Sequence, residues 1–253
     1  MKCFIITKRQ VIAAYVIAAA VFVSATIGIS ALAGSDRLLP IYGVETDEKK
    51  IAISFDAAWG ADDTETLIDI LGEYNVPATF FVVGEWVDKY PEEVKALSDA
   101  GHRIENHSAT HPHMTGLSSE GMVSELKTCN EKIAKITGRT PTLFRPPYGD
   151  YNNNVITATE SIDMFCIQWS VDSLDWKEDA TAEKIASRVI EKSKNGSIIL
   201  CHNDADHTPE ALPTILKTLQ GEGYEFVLIE DLIYKDNYEI IHDGTQVKLK
   251  EDA

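Results

Sequence analysis

Two histidines four residues apart, His107 and His111, sit in the string Glu105-Asn106-His107-Ser108-Ala109-Thr110-His111-Pro112. Neutral imidazoles bind borderline-soft cations such as zinc, and a spacing of four places both rings on one side of a single helical turn. Pro112 ends that turn. The competing reading is a pair of histidines facing water in a polar loop. Four other clusters give the pair company: Asp56 after an apolar run ending in Phe55, Arg145-Pro146-Pro147-Tyr148-Gly149, Asp172-Ser173-Leu174-Asp175-Trp176, and Leu200-Cys201-His202. Each falls where an expected strand gives way to a loop.

The elements that must position these residues alternate in type. From Lys50 onward, short β-rich runs at Ile51–Phe55, Ala78–Val83, Arg103–Glu105, Thr142–Phe144, Met164–Trp169, Ser197–Leu200 and Glu225–Leu228 alternate with amphipathic stretches near 62–74, 91–100, 118–137, 151–160, 180–194 and 208–221. Such alternation implies an α/β domain of parallel strands with right-handed crossovers, either a barrel or an open doubly wound sheet. Chemistry at the ends of five or six different strands converges on the rim of a barrel, whereas an open sheet would string it out. The expectation is therefore a (β/α)-type barrel of seven strands over residues 50–233, with a linker at 35–49 and an acidic stretch at 234–253 that forms an exposed tail or a short added strand.

Among 253 residues the formal net charge is −17, which excludes nucleic acid and anionic membrane surfaces as targets by repulsion. The first 34 residues differ from the rest: Lys2, Lys8 and Arg9 precede an uncharged stretch from Val11 to Gly34. That stretch is long enough to span hydrocarbon, which takes about 20 residues, and its basic flank stays cytoplasmic. It is expected to be an uncleaved anchor holding the rest of the chain outside the cell membrane, or a signal peptide cut near Ala31-Leu32-Ala33, which would make the protein secreted. Cys3, Cys129, Cys166 and Cys201 show no paired metal spacing and read as thiols, with a disulfide between Cys166 and Cys201 left open.

In order and in type, these clusters resemble the five motifs of the polysaccharide deacetylase family, the NodB-homology or carbohydrate esterase family 4 domain, over residues 51–230. The phrases Ile41-Tyr42-Gly43 and Ile53-Ser54-Phe55-Asp56-Ala57-Ala58-Trp59-Gly60 are similar to its spore-associated peptidoglycan deacetylase branch. The resemblance implies an irregular (β/α)7-type barrel and metal-dependent removal of N-acetyl groups from an amino-sugar polymer, with cell-wall glycan as partner and zinc, cobalt or another divalent cation as cofactor. His107 and His111 would hold the metal, Asp56 would be the general base oriented by Arg145, and His202 the acid supported by Asp175. Tyr148 would contribute a backbone N–H to the oxyanion, and Trp176 and Leu200 would wall the acetyl pocket.

One position departs from the family's pattern. A second aspartate usually follows the base as third metal ligand, and here that residue is Ala57, which cannot bind a cation. Asp62 or Asp63 would substitute, or else cap the helix that starts there; Glu105 would substitute or brace a histidine from behind. The missing ligand leaves an alternative, a weak or inactive glycan-binding relative, and the same machinery would also serve an O-acetyl polysaccharide esterase. His113 and His207 read as polar loop residues, Trp59 as a sugar-stacking or core residue, and Asp172 as a pocket or loop residue.

Overall fold

The run Lys50–Ala57 forms strand β2, buried on both faces as a central parallel strand must be. Ile51, Ile53, Phe55 and Ala57 join the apolar cluster shared with the helices, and Ala52 joins a second cluster on the opposite face. The computed structural model describes residues 37–249. Around β2 lie β3 (Thr79–Val82), β4 (Arg103–Asn106), β5 (Leu143–Phe144), β6 (Phe165–Cys166), β7 (Val171–Asp172), β8 (Ile198–His202) and β9 (Glu225–Phe226). The order is β6-β5-β4-β3-β2-β8-β7, with β9 pairing on β2, and every pair is parallel.

This sheet curls into a half-barrel. The chain passes from Cys166 in β6, at one end of the order, to Val171 in β7, at the other, and five residues reach at most about 18 Å. Ile41 fills the seam, donating its N–H to the Cys166 carbonyl and accepting from the Gln168 N–H (2.9 and 2.7 Å), while Gly43 bridges Ser197. In place of the closed ring expected from sequence there is a half-barrel whose open side an N-terminal segment bridges, since β6 and β7 are only two residues long and do not pair.

The expected helices appear as α1 (Thr64–Glu73), α3 (Pro91–Asp99), α4 (Ser119–Thr137), α5 (Asn153–Glu160), α6 (Ala182–Lys192) and α7 (Thr208–Gly221), joined by two short ones, α2 (Gly84–Lys89) and α8 (Ile229–Leu232), whose lengths leave little periodicity to read. The C-terminal stretch is an added strand pair: β10 (Tyr238–Ile240) and β11 (Thr245–Lys248) form a small sheet with β1 (Gly43–Val44). Buried Gln246 fastens it by accepting from the Tyr234 N–H and donating to the Tyr234 carbonyl.

Cys129, Cys166 and Cys201 are all free and buried. The Cys166–Cys201 bridge does not form, because the two thiols belong to different apolar clusters. Burial pushes all three thiols up, Cys129 to about 12, so they act as small apolar side chains. Among the described residues no helix is long and apolar enough to cross a membrane; the segment 11–34, on which the anchor was read, lies outside them.

Candidate active site

Parallel pairing places Asp56 of β2 directly beside His202 of β8, at the strand ends where loops open a cavity of about 810 Å³. Asp56, His107, His111, Tyr148, Asp175, Trp176, Leu200 and His202 all line it. Arg145, fully buried, lies behind Asp56 and donates to Asp56 Oδ1 (2.7 Å) and to Ser54 Oγ (2.9 Å). Its guanidinium also lies over the Phe81 ring, 4.1 Å from the centroid. Burial drives the Asp56 carboxyl up, but Arg145 and then His107 and His202 outweigh it, so its pKa ends below the ordinary value. The carboxylate is held ionised.

His202 has the opposite arrangement. Its Nδ1 lies 2.7 Å from Asp175 Oδ1, and Asp175 Oδ2 accepts from both the His202 N–H (2.8 Å) and Thr208 Oγ1 (2.7 Å). Burial favours neutral imidazole, yet the Asp175 hydrogen bond and charge reverse it, and the pKa is raised. The hydrogen bond to Asp175 puts a proton on Nδ1 and leaves Nε2 for the cavity.

The two metal-candidate histidines meet with ring centroids 5.0 Å apart, but no helical turn brings them together. His107 follows β4 directly, and residues 107–113 form an irregular loop. Ser108 and His111 both take left-handed backbone, with φ of 69° and 57°, and side chains from outside stabilise the loop. Asn106 Oδ1 accepts from the Ser108 N–H, Ser108 Oγ from the His111 N–H, and the Glu125 carboxylate from the N–H groups of Ala109 and Thr110 and the Thr110 hydroxyl. Glu125 lies on α4, eighteen positions after His107, and nothing in the sequence marks it for this task.

His107 Nδ1 lies 2.7 Å from the Arg145 carbonyl, to which it donates, so Nε2 is the free atom and faces Asp56 Oδ2 at 3.6 Å. Burial lowers the pKa of both histidines, His111 to about 4, and neutral rings are what a cation requires. In these two positions the donor set fits a divalent metal. The third is lacking: Ala57 is wholly buried in the helix-facing cluster, and among the described residues no group of three or more His, Cys, Asp or Glu side chains is gathered to hold an ion.

None of the expected substitutes fills the gap. Glu105 is fully buried, bonded to Arg103 Nε and to the Thr142 and Leu143 N–H groups, and burial raises it to about 7. Asp63 occupies the cap position of α1 without capping it; its Oδ2 accepts from the Asp204 N–H instead. Asp62 is exposed and lies outside the cavity lining.

The rim is aromatic. Trp59, Tyr148 and Trp176 are 60%, 62% and 58% exposed, and Leu200, only 2% exposed, lies within the lining. Trp176 is thus a rim residue rather than an enclosed wall. Tyr148, with φ of 59°, stacks on His113 (4.3 Å) and meets His111 edge-on (4.6 Å), which gives His113 a packing role that polarity alone does not announce. His207 pairs with Glu210 and lines the cavity. Asp172, also in the lining, accepts from the Leu174 N–H. Of the eight non-glycine residues with positive φ among those described, Ser108, His111, Tyr148, Leu174 and Asp204 lie in these loops. Backbone strain therefore concentrates where the chemistry would be.

Residues 43–167 match the family model described as polysaccharide deacetylase. Against the peptidoglycan-N-acetylmuramic acid deacetylase PdaA of Bacillus subtilis (strain 168) the chain is 35% identical over 193 residues, covering 75% of this chain and 73% of that protein. Against the uncharacterized protein YlxY of the same organism it is 33% identical over 194 residues, covering 77% of this chain and 60% of YlxY. The crystal structure of a CE4 family pseudoenzyme from Bacillus anthracis superposes with a TM-score of 0.74 at 30% identity, covering 84% of this chain and 73% of that one.

Proposed function

The chain belongs to the polysaccharide deacetylase family, and from that premise we propose that it hydrolyses N-acetyl groups from the amino sugars of peptidoglycan. The observation that carries this reading is the Asp56–His202 register pair, one member held ionised by Arg145 and the other held protonatable by Asp175. Two groups whose environments push their pKa values apart are the signature of a base working with an acid.

Amide hydrolysis adds water to the acetyl carbonyl carbon and breaks the C–N bond, giving acetate and a free amine. Asp56 takes the water proton, and the Arg145 fork keeps its carboxylate oriented while doing so. His202 delivers a proton to the departing nitrogen from Nε2. Leu200 supplies apolar surface for the acetyl methyl group, and the backbone N–H of Tyr148 is the donor assigned to the developing oxyanion. The chemistry that a divalent cation such as zinc or cobalt supplies, when His107 and His111 hold it, is polarisation of the carbonyl and a lower pKa for water.

A second reading, a weak or inactive glycan binder, is favoured by Ala57 and by the likeness to a CE4 family pseudoenzyme. An O-acetyl esterase would use the same residues. For location, Lys2, Lys8 and Arg9 ahead of the apolar stretch 11–34 support a domain carried outside the cell membrane, and the branch phrases support a role in the spore wall. The deciding experiment measures acetate release from N-acetylglucosamine oligomers, peptidoglycan and acetylated xylan, with metal content determined on the same sample and Asp56→Asn as control. Release from the first two, lost in the variant, establishes the deacetylase. Glycan retention without release or bound metal establishes the binder, and release from xylan alone the esterase.

A further inference from the structure

The loop after β2 and the loop after β8 are fastened to each other by a seam that the proposed chemistry does not use. The Asn203 N–H donates to the Asp56 carbonyl (3.2 Å). Asn203 Nδ2 donates to the Gly60 carbonyl (2.6 Å), which also accepts from Trp86 Nε1 (2.8 Å). The Asp204 N–H donates to Asp63 Oδ2 (2.9 Å). A Cβ added at Gly60 would fall within 2.1–2.5 Å of the Asp204 carboxylate, so glycine is what lets the two loops approach. Asp204 itself is left-handed, with φ of 55°.

Two of the four buried side-chain polar atoms without a partner among the described residues, Asp63 Oδ1 and Asn203 Oδ1, lie in this seam. Asn203 is 3% exposed. Buried polar atoms kept against their desolvation cost call for an explanation, and helix capping does not supply one for Asp63, which makes no cap bond.

We propose that Asp63 and Asn203 are positioning residues that lock the loop following the base to the loop following the acid, and so set the placement of Asp56 relative to His202 at the two strand ends. The inference rests on the reading of those two residues as base and acid. Each adjoins the seam along its own strand: Asp56 lends its carbonyl to it, and His202 precedes Asn203. A misplacement of the order of 1 Å costs up to about 100-fold in rate, while glycan contacts at the aromatic rim stay in place.

The test compares Asp63→Ala, Asp63→Asn and the exposed neighbour Asp62→Ala by steady-state acetate release and by amide hydrogen exchange of the full-length protein. Expected for Asp63→Ala is a kcat lower by about tenfold to 100-fold with KM nearly unchanged, and faster exchange at Asn203 and Asp204. Asp63→Asn, which keeps an acceptor for the Asp204 N–H, recovers most of the rate, and Asp62→Ala matches the parent. An unchanged kcat in Asp63→Ala overturns the proposal, as does a loss shared by kcat and KM that Asp63→Asn does not recover. If the parent releases no acetate, the deacetylase reading fails and exchange alone decides: local acceleration at Asn203 and Asp204 upholds the seam, and unchanged exchange overturns it.

Discussion

Replacing Asp175 by Asn should move the alkaline limit of activity downward. In the folded protein burial lowers the His202 pKa, and the Asp175 hydrogen bond and charge raise it above 6.5. Asn removes the charge, and with it the two largest causes that oppose burial, so the pKa falls. A hydrogen bond to a charged group contributes about 1.5–3 kcal/mol, which corresponds to about tenfold to 100-fold in the protonated fraction of His202 where the neutral form prevails. His202 acts in its protonated form, so the falling limb of kcat/KM moves to lower pH. On the alkaline side of that limb the variant loses about tenfold to 100-fold in rate, and part of the loss returns on acidification. The same raised pKa contributes folding stability that is full below pH 6.5 and disappears as pH rises through the folded value, so the parent loses more stability than the variant across that window. The assay is a pH–rate profile of acetate release, with the His202 imidazole followed by NMR in the resting protein. Coincident limbs and an unchanged imidazole titration would refute the assignment of Asp175.

Two further outcomes concern the metal. Ala57→Asp buries a carboxylate in an apolar cluster, at a cost above the ~1–3 kcal/mol of a neutral unpaired polar group; thermal melts should show the metal-free variant destabilised and zinc raising its midpoint by more than it raises the parent's, and equal zinc responses would count against position 57 as the missing ligand site. Glu125→Ala removes three hydrogen bonds from the loop that carries His111, and should weaken zinc binding by about tenfold to 100-fold in calorimetric titration. Parent-like affinity would show that the loop needs no such brace.

Which positions were readable from sequence follows from distance along the chain. Strand runs such as Ile51–Phe55 carry their period locally, and the motif clusters lie at strand ends because a parallel sheet offers its C-terminal edge to ligands. The His107–His111 spacing is equally local, but it specifies proximity rather than helix; Ser108 and His111 adopt left-handed backbone because Glu125 and Asn106 satisfy the loop's N–H groups from other elements. Glu105 shares a face of β4 with His107, yet two residues of strand descend about 6.6 Å, to the level of Arg103 and the Thr142 and Leu143 amides. Face parity is visible in a sequence and depth is not. Asp63 reads as a helix cap until a loop 141 residues away claims its carboxylate.

Parity also bears on the missing ligand. Consecutive residues of a strand point to opposite faces, so Asp56 and a following carboxylate reach one cavity only where the strand has ended. Here β2 continues through Ala57, which pairs with Val82 and accepts from the Val83 N–H at 3.0 Å, and its methyl group belongs to the helix-facing core. An apolar residue at position 57 gains burial by staying in the ladder, whereas a ligand there would have to leave it. Substituting Asp at 57 therefore asks the last pair of β2 to break in exchange for a cation, and the zinc response of that variant measures which of the two the fold prefers.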